Sequence, residues 1–426
     1  MVPVVMWMQV LSSPGQTFAF SAMIPSLRED LGLTDVAISS AYAMGTVLAA
    51  VPLSWVGPAT DRWGLRPATL MTVIALALAC YSASFVDSWA GLLAVFVTLR
   101  FLGQGCMSLL SNNALSMWFR QTIGRIGALL SLGSAVAFAL IPGVIQTRVE
   151  TFGWRSTYRQ IAVVVLVTGL PVMWWLFRNR PEELGQHLDN RRPDAPQRPS
   201  EPRIESHPAV PTPGRLSSAA SLTFAQAVSH RTFYLLAFIT SWWAMTGTGV
   251  MFYLYPIASQ CGLADAQTNR LFVIFGMAML LGQLFGGVVV DYVRVHLPLA
   301  IGALALSIGL GLVTAAVGNV ISDRHLALRG FAALFGGGQG LLIAVTSAAW
   351  VKYYGRDALG KIRGTVWCVT VAGSGLGPLW LGFAIERHGD FQPALNWMTL
   401  GMLTAAAMAW WATPPRVAES ASPANA

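Results

Sequence analysis

The stretch GPATDRWGLR, residues 57–66, is the most informative part of this sequence. It stands between two apolar runs, near 36–57 and 67–85, and each run is long enough to cross a hydrocarbon core of about 30 Å. Gly57 lets two helix ends approach closely, while Gly64 permits a tight turn. The stretch therefore predicts a short, structured loop between two membrane-spanning helices.

The composition is that of a membrane protein. Of the 426 residues, 54% are hydrophobic and 11% are charged, whereas a soluble domain has roughly 25% charged residues. The pI near 9.7 does not indicate nucleic-acid binding, because the basic residues lie between apolar runs and not on an amphipathic or glycine-rich module. The four cysteines lack metal-ligand spacing, and we expect neither a metal nor a cofactor.

We predict an all-α membrane protein with twelve transmembrane helices, numbered helix 1 to helix 12 along the chain. They lie near residues 4–26, 36–57, 67–85, 90–116, 125–147, 157–177, 232–257, 268–290, 298–318, 327–350, 364–385 and 393–412. Between helices 6 and 7 the chain is rich in Pro, Arg, Ser and Glu, and such a segment cannot bury enough apolar surface to become ordered. The predicted organisation is a six-helix bundle at 1–177, a flexible linker at 178–230, a second six-helix bundle at 231–413 and a tail at 414–426.

The basic residues predict the orientation in the membrane. The side that carries the linker holds the larger share of the 27 Lys and Arg residues. By the positive-inside rule, we expect the linker, the tail and both termini to be cytoplasmic, with the protein in the inner membrane of the cell. The first apolar stretch has no basic leader and no small-residue cleavage site, so we expect it to be helix 1 and not a removed signal peptide.

The two halves of the chain repeat each other. Gln104 in helix 4 recurs as Gln339 in helix 10 after 235 positions, and Asp61 after helix 2 recurs as Asp291 after helix 8, 230 positions later. Nearly constant offsets across different helix pairs predict two parallel, pseudo-symmetric bundles related by an axis along the membrane normal.

Residues 57–66 closely resemble the signature loop of the major facilitator superfamily, G-x-x-x-D-R-x-G-x-R, at every fixed position. In that family, this loop latches the two bundles together on the cytoplasmic side. The counterpart after helix 8 keeps the acidic residue but loses the second glycine. The resemblance implies a secondary transporter whose latch is formed by Gly57, Asp61, Arg62, Gly64, Arg66 and Asp291.

Helix 4 carries an arginine near the bilayer centre. Arg100 lies about ten residues inside its span, where a charged side chain costs at least roughly 2.5–3.5 kcal/mol and should face a cavity or a partner. The segment R-x-x-x-Q-G that begins at Arg100 resembles a family segment, and in that fold helices 1, 4, 7 and 10 line the central cavity. The substrate-binding candidates on these helices are Arg100, Gln104, Gln16, Thr17, Trp243, Thr246, Tyr253 and Gln339.

Two interpretations of Arg100 are open. In one, it is structural and bonds to carbonyls or polar side chains of helix 1, such as Gln16. In the other, it binds substrate. Because no Asp or Glu occurs well inside helices 1, 4, 7 or 10, an unpaired cation there suits an anionic solute. Pro14 and Gly15 should break helix 1 and free backbone carbonyls toward the cavity.

Shorter pieces of the chain, including residues 350–356, are similar to the monocarboxylate and oxalate–formate branch of the superfamily. That branch usually has basic residues within helices 8 and 11 that bind carboxylate. Here Arg270 lies at the start of helix 8, and helix 11 has no basic residue. A dicarboxylate that needs two central cations is therefore disfavoured.

These features predict a secondary active transporter that moves a small organic anion, for example a monocarboxylate, by alternating access, either coupled to protons or by exchange. One alternative is efflux of apolar or cationic compounds, although the residues around Pro142 break the drug-antiporter pattern of helix 5. Another is a non-transporting sensor on the same fold. An enzyme is disfavoured, because the predicted spans contain no cluster of His, Asp and Glu. The expected partners are the solute, a coupling proton and the lipid bilayer.

Overall fold

The computed structural model describes residues 1–118, 123–179, 183, 222–355 and 359–415. Within its helices, the side chains outside the described part are those of residues 54, 61, 116, 123–130, 359 and 360. Most of the predicted linker, 178–230, and most of the predicted tail, 414–426, also lie outside these ranges. The described residues form helices and no strand, as the sequence predicted.

Helix 1 is interrupted at its centre. It consists of the helix Val2–Leu11, the 3₁₀ turn Ser13–Gly15, and the helices Thr17–Ser21 and Ile24–Leu31. Pro14 lies in the 3₁₀ turn, where its missing N–H and fixed φ interrupt the α-helical hydrogen bonding, and the predicted break is confirmed. The chain then turns at Gly32, whose φ of 60° suits glycine, into helix 2 at an angle of 116°.

The other helices of the first half follow the predicted positions. Helix 2 comprises Asp35–Ala50 and Leu53–Trp63, and helix 3 is Leu65–Ala83. Helix 4 comprises Trp89–Leu99, a π-helical segment Arg100–Met107, and Ser108–Trp118. Helices 5 and 6 together span Ile123–Val164, with non-helical backbone at Gly153 between them, and helix 6 continues through the π segment Val165–Gly169 and the short helix Leu170–Trp175. Gly153, with a φ of 76°, marks the bend between helices 5 and 6.

The second half begins with a short helix, Phe224–Ser229, that precedes helix 7. Helix 7 comprises Arg231–Phe252 and Leu254–Gln260. Helices 8 to 12 are Asp265–Tyr292, His296–Val317, Arg324–Tyr354, Leu359–His388 and Gln392–Trp410. A side-chain cap begins helix 10, where Asp323 Oδ1 accepts a 2.9 Å hydrogen bond from Leu326 N.

Helices occupy all twelve predicted positions. By length and apolar composition, eight helices of the described ranges are able to cross a membrane, or nine if the bent pair Ile24–Leu31 and Asp35–Ala50 counts as one span. The stretch Ser131–Trp175, which contains parts of both helix 5 and helix 6 and the kink at Gly153, counts as one of these eight. The fold class is therefore confirmed, whereas the number of twelve membrane crossings stays a prediction.

The predicted repeat is visible in the packing. A Cβ atom on Gly105 of helix 4 would lie 2.6 Å from Leu53 Cδ2 of helix 2. A Cβ atom on Gly340 of helix 10 would lie 2.8 Å from the backbone nitrogen of Gln283 in helix 8. These two contacts join residues related by the offsets of 235 and 230 positions, so each half crosses its second and fourth helices at equivalent places.

The two halves meet along helices 2 and 11 and along helices 5 and 8. A Cβ atom on Gly375 of helix 11 would lie 3.2 Å from the carbonyl oxygen of Ala43 in helix 2. A Cβ atom on Gly276 of helix 8 would lie 2.8 Å from the carbonyl oxygen of Ala135 in helix 5. Small residues therefore let the helix backbones of the two halves pack closely.

Candidate functional site

The interrupted part of helix 1 packs directly on the π segment of helix 4. A Cβ atom on Gly103 would lie 2.7 Å from the backbone nitrogen of Gly15, and a Cβ atom on Gly15 would clash with the carbonyl oxygen of Leu99. Only glycine fits at both positions, since no side chain can occupy the space between the two backbones. This close approach brings the backbone of helix 1 next to Arg100.

Arg100 is buried, with 4% of its surface exposed. Its Nη1 donates to the carbonyl oxygen of Gly15 at 3.5 Å and to Thr17 Oγ1 at 3.4 Å. Its guanidinium lies over the Tyr42 ring, 4.9 Å from the centroid. Thr17 Oγ1 and the Tyr42 hydroxyl share a hydrogen bond of 2.7 Å. These contacts match the structural interpretation of Arg100 in part, because helix 1 supplies both hydrogen-bond acceptors.

The guanidinium of Arg100 nevertheless keeps most of its donors free. Arginine has five N–H donors, and both bonds from Nη1 are longer than the usual 2.7–3.2 Å. Its Nε atom is buried without an acceptor. Among the described residues, no carboxylate forms an ion pair with Arg100. Such a group can bind a carboxylate through two parallel hydrogen bonds.

The glutamines near Arg100 differ in their contacts. Gln16 Nε2 donates to Ser12 Oγ at 3.2 Å and does not bond to Arg100, so it is not the partner that the structural interpretation named. Gln104 is half-buried, and its amide makes no hydrogen bond within the described part of the chain. Gln104 is therefore the candidate that is free to bind a polar solute one helical turn from Arg100.

The candidates on helices 7 and 10 serve mainly in packing. The Thr246 hydroxyl is buried and donates to carbonyl oxygens of its own helix, one of them that of Trp243 at 3.0 Å. Tyr253 is fully buried, and its hydroxyl donates to the backbone oxygen of Asp35 in the other half at 3.1 Å. Gln339 Nε2 is 3.8 Å from Met279 Sδ. The structure thus brings Arg100, Thr17 and Gln104 together and leaves these second-half candidates outside that group.

Sequence reasoning missed Tyr42, which lies on helix 2 and not on one of the four helices expected to line the cavity. The signal available was a tyrosine in the middle of an apolar span. It also missed the π segment Arg100–Met107, for which we find no sequence signal beyond its two glycines, Gly103 and Gly105.

Aromatic rings fill the space between the halves. The Phe18 ring lies 4.5 Å from Phe138, which stacks 5.0 Å from Phe275 of the second half. Tyr42, which covers Arg100, has its ring 4.6 Å from Phe252 of helix 7. The ring contact between Tyr42 and Phe252 links the surroundings of Arg100 to the second half.

Polar contacts join the halves at the ends of the helices away from the linker. Gln146 Nε2 of helix 5 donates to Asp265 Oδ2 of helix 8 at 2.7 Å and to Glu150 Oε1 at 3.1 Å. The Val36 backbone nitrogen of helix 2 donates to Glu386 Oε2 of helix 11 at 3.1 Å. The molecule is therefore closed between its halves on this side.

Among the predicted latch residues that the structure describes, Arg66 and Asp291 bond within their own halves. Gly64 has a φ of 87°, as its predicted tight turn requires. The Arg66 backbone nitrogen donates to Asn179 Oδ1 at 2.7 Å, and its guanidinium donates to the carbonyl oxygen of Trp174. Arg62 is exposed, and the side chain of Asp61 lies outside the described residues.

Asp291, at the second latch position, also pairs with a residue of its own half. Asp291 Oδ1 lies 3.2 Å from Lys352 Nζ, which also donates to the carbonyl oxygen of Val290 at 2.5 Å. Lys352 is in helix 10, so this ion pair ties helix 8 to helix 10 within the second half. Gly57 has open space around it, with no atom within 4 Å of a Cβ built there. A latch between the halves stays a prediction.

Comparison with known proteins gives the family. The sequence profile of the Major Facilitator Superfamily matches residues 5–267, more than half of the chain. No curated protein gives a significant match. The solved structure of a D-xylose–proton symporter is 13% identical, with 97% of each chain covered and a TM-score of 0.72.

Two solved structures of a bacterial homologue of the human lysosomal transporter Spinster are similarly distant. The inward-facing, unoccupied form is 14% identical, with 96% of each chain covered and a TM-score of 0.64. The inward-facing, occupied form is 13% identical over the same shares, with a TM-score of 0.66. Likenesses at this identity establish the fold, and the family match comes from the sequence itself. The chain belongs to the Major Facilitator Superfamily and is a multi-pass membrane transporter, not an enzyme.

Proposed function

We propose that this transporter carries a small organic anion, such as a monocarboxylate, and that Arg100 binds the anion. One observation carries the proposal: a buried guanidinium with two long hydrogen bonds to neutral acceptors and with no carboxylate partner among the described residues. A buried cation of this kind gains more from an anion than a paired one does, because its charge is not yet compensated.

Binding would replace weak contacts with strong ones. The carboxylate of the solute takes the N–H groups of Arg100 that have no acceptor, at charge-assisted distances of about 2.7–2.9 Å. Gln104, one turn away, donates its free amide to the same solute. The Tyr42 ring moves with the guanidinium, and its contact with Phe252 transmits the change to helix 7.

The proposed transport cycle is alternating access. The contacts of Gln146 and Val36 with the second half support a state that is closed on the side away from the linker. If the linker is cytoplasmic, as the basic residues predict, this is an inward-facing state, like the two structures of the Spinster homologue. Rocking of the bundles at 1–177 and 231–413 about the centre, with the linker at 178–230 between them, exposes Arg100 to each side in turn.

The latch and the coupling ion follow from the same proposal. In the outward-facing state, Asp61, Arg62 and Arg66 contact the second half and hold the linker side closed, and Arg66 gives up its bonds to Asn179 and Trp174. No Asp or Glu occurs well inside helices 1, 4, 7 or 10. A proton therefore travels with the carboxylate of the solute, or the protein exchanges one anion for another.

The test is uptake of labelled monocarboxylates of increasing chain length into proteoliposomes, with and without an inward proton gradient. We expect at least one acid to accumulate and Arg100→Gln to lower its uptake by about 100-fold, since losing one partner of a buried charged pair costs about 2–5 kcal/mol. Arg270→Gln makes the same charge change at an exposed position and should leave uptake unchanged.

Two results would contradict the proposal. Uptake by the Arg100→Gln variant that equals that of the unmodified protein would make Arg100 a structural residue. Absence of flux for every acid, in a preparation that remains folded by its thermal unfolding transition, would favour efflux of uncharged or cationic compounds.

A further inference from the structure

A cavity lies outside the region of Arg100, on the outer surface of the first half. It is a cleft of about 630 Å³ between helices 1, 5 and 6. Its walls are largely apolar and include Trp7, Val10, Ile141, Val144 and Val164. Val144 and Val164 are more than half exposed, so the cleft is open on the face that the membrane surrounds.

One end of this cleft is positively charged. Arg148 at the end of helix 5 and Arg159 at the start of helix 6 both line it, together with Gln160. Arg159 uses its Nε to donate to Ser84 Oγ at 3.1 Å, and its guanidinium lies 5.5 Å from the centroid of the Phe85 ring. Arg148 lies over the Phe152 ring at 5.7 Å. Within the part of the chain that the structure describes, neither arginine forms an ion pair.

The charged end of the cleft and its apolar groove follow one another along the membrane normal. Arg148 and Arg159 flank the turn between helices 5 and 6, on the side away from the linker. From that turn, the cleft continues along helix 6 to Val164 and along helix 1 to Trp7. A charged end at the surface and an apolar groove toward the bilayer centre match the shape of an amphiphile aligned with the lipids.

We propose that this cleft binds one anionic phospholipid from the leaflet on the side away from the linker. Its phosphate is held by Arg148 and Arg159, and one acyl chain lies between helices 1, 5 and 6. Charge complementarity decides the headgroup, because two cations without acidic partners prefer a net negative lipid to a zwitterionic one. The site is separate from the proposed anion site, since its lining includes neither Arg100 nor Gln104.

The test is native mass spectrometry of the purified, full-length protein with phosphatidylglycerol or phosphatidylcholine of identical acyl chains. We expect one phosphatidylglycerol to be retained with about tenfold higher affinity than phosphatidylcholine, from two arginines near the membrane surface. The double variant Arg148→Gln with Arg159→Gln should abolish this preference. The matched control, Arg270→Gln with Arg329→Gln, removes two exposed arginines outside the cleft and should leave the preference intact.

A variant of unchanged charge tests the apolar part separately. Val164→Trp places an indole in the groove and should lower retention of both lipids, while the thermal unfolding midpoint stays close to that of the unmodified protein because position 164 is exposed. Equal retention of the two lipids by the unmodified protein would overturn the proposal. The proposal would also be overturned if the variant Arg148→Gln with Arg159→Gln kept the preference for phosphatidylglycerol, or if the control variant lost that preference equally. Retention of soluble glycerol phosphate as strong as that of the lipid would overturn it too.

Discussion

At the centre of helix 4, the first half has a buried arginine, whereas the corresponding position of helix 10, 235 residues later, is Phe335. The position related to Tyr42 by the offset of 230 is likewise an aromatic residue without a hydroxyl, Phe272. The Phe335 ring lies 6.3 Å from Phe275 and is fully buried. The first half thus holds a buried cation with two long hydrogen bonds, while the second half fills the equivalent space with rings.

This difference shows that the repeat preserves the scaffold and not the binding chemistry. A cation inside a membrane protein is costly and persists where it serves a function or is fully compensated. Because Arg100 is not fully compensated, we infer that the first half holds the solute. On this proposal, the second half supplies an apolar wall, and the one cation of the first half matches a solute with one negative charge.

The largest effect should come from making the first half resemble the second. Arg100→Phe removes the proposed anion-binding group, and we expect uptake of the transported acid to fall by about 100-fold or more. Folding should survive, because the change removes an uncompensated buried charge. Proteoliposome uptake and thermal unfolding of the same preparation measure the two expectations.

The matched control changes the related position of the second half. Phe335→Leu trims an aromatic residue in a packed core and should lower stability by about 1–3 kcal/mol while transport remains within several-fold of normal. Loss of uptake as severe as that of Arg100→Phe would mean that both halves bind the solute directly.

The next prediction compares the two equivalent helix crossings, helix 2 with helix 4 and helix 8 with helix 10, by the loss of stability on substitution. A Cβ atom on Gly340 would collide with the backbone oxygen of Met279, whereas a Cβ atom on Gly105 would meet the end of the Leu53 side chain. Since a backbone yields less readily than a side chain, Gly340→Ala should destabilise the protein by about 1–3 kcal/mol and Gly105→Ala by less. Thermal unfolding midpoints check this order, and a larger loss for Gly105→Ala would contradict the argument that the backbone contact at Gly340 is the less tolerant one.

Much of this scaffold could be predicted from the sequence. The lengths of the apolar runs predicted the helix positions, and the nearly constant offsets between matching residues predicted the repeat. Pro14 with Gly15 predicted the break in helix 1. Helices 5 and 6 were predicted to end near 147 and to begin near 157, whereas in the structure both extend to the non-helical Gly153. Helix ends depend in part on tertiary packing, which the local sequence does not record.

The surroundings of Arg100 were harder to predict. The sequence identified the arginine and the alternative of helix 1 acceptors, but it named Gln16 where the structure has Gly15 and Thr17. Which residue reaches the guanidinium depends on how the interrupted helix rotates after its 3₁₀ turn. Tyr42 reaches the same group across two helices, and such contacts are set by packing that no local pattern records.

A smaller effect is expected where the halves meet. Gln146 bridges Glu150 of its own helix and Asp265 of the second half, so Gln146→Leu leaves two carboxylates facing each other without the amide. We expect the ratio of molecules that are open between the halves on the side away from the linker to molecules that are closed there to rise by about tenfold at pH 8. This corresponds to a change of about 1.4 kcal/mol in the free energy of opening. At pH 5 the rise should be smaller, because protonation of one carboxyl group removes the repulsion and lets the pair share a proton.

Distances between spin labels at positions 147 and 266, in a variant without native cysteines, measure this population. Gln260→Leu is the matched control, because Gln260 donates to the Gly389 carbonyl oxygen within the second half. A shift that is equal at both pH values would mean that the two carboxylates are not the cause. A shift in the control would mean that any amide on this surface has the same effect.

The smallest effect is expected at the second latch position. Asp291 is 70% exposed and its ion pair with Lys352 joins two helices of one half, so Lys352→Gln should cost about 0–1 kcal/mol of stability. High salt should reduce even this loss, since exposed charges are screened. Asp291→Asn serves as the comparison, because it removes the acid and leaves Lys352 donating to the Val290 carbonyl oxygen. A stability loss as large as that of Gly340→Ala, persisting in high salt, would show that Lys352 acts through more than this exposed ion pair. Its bond to the backbone of helix 8 would then be the contact that matters.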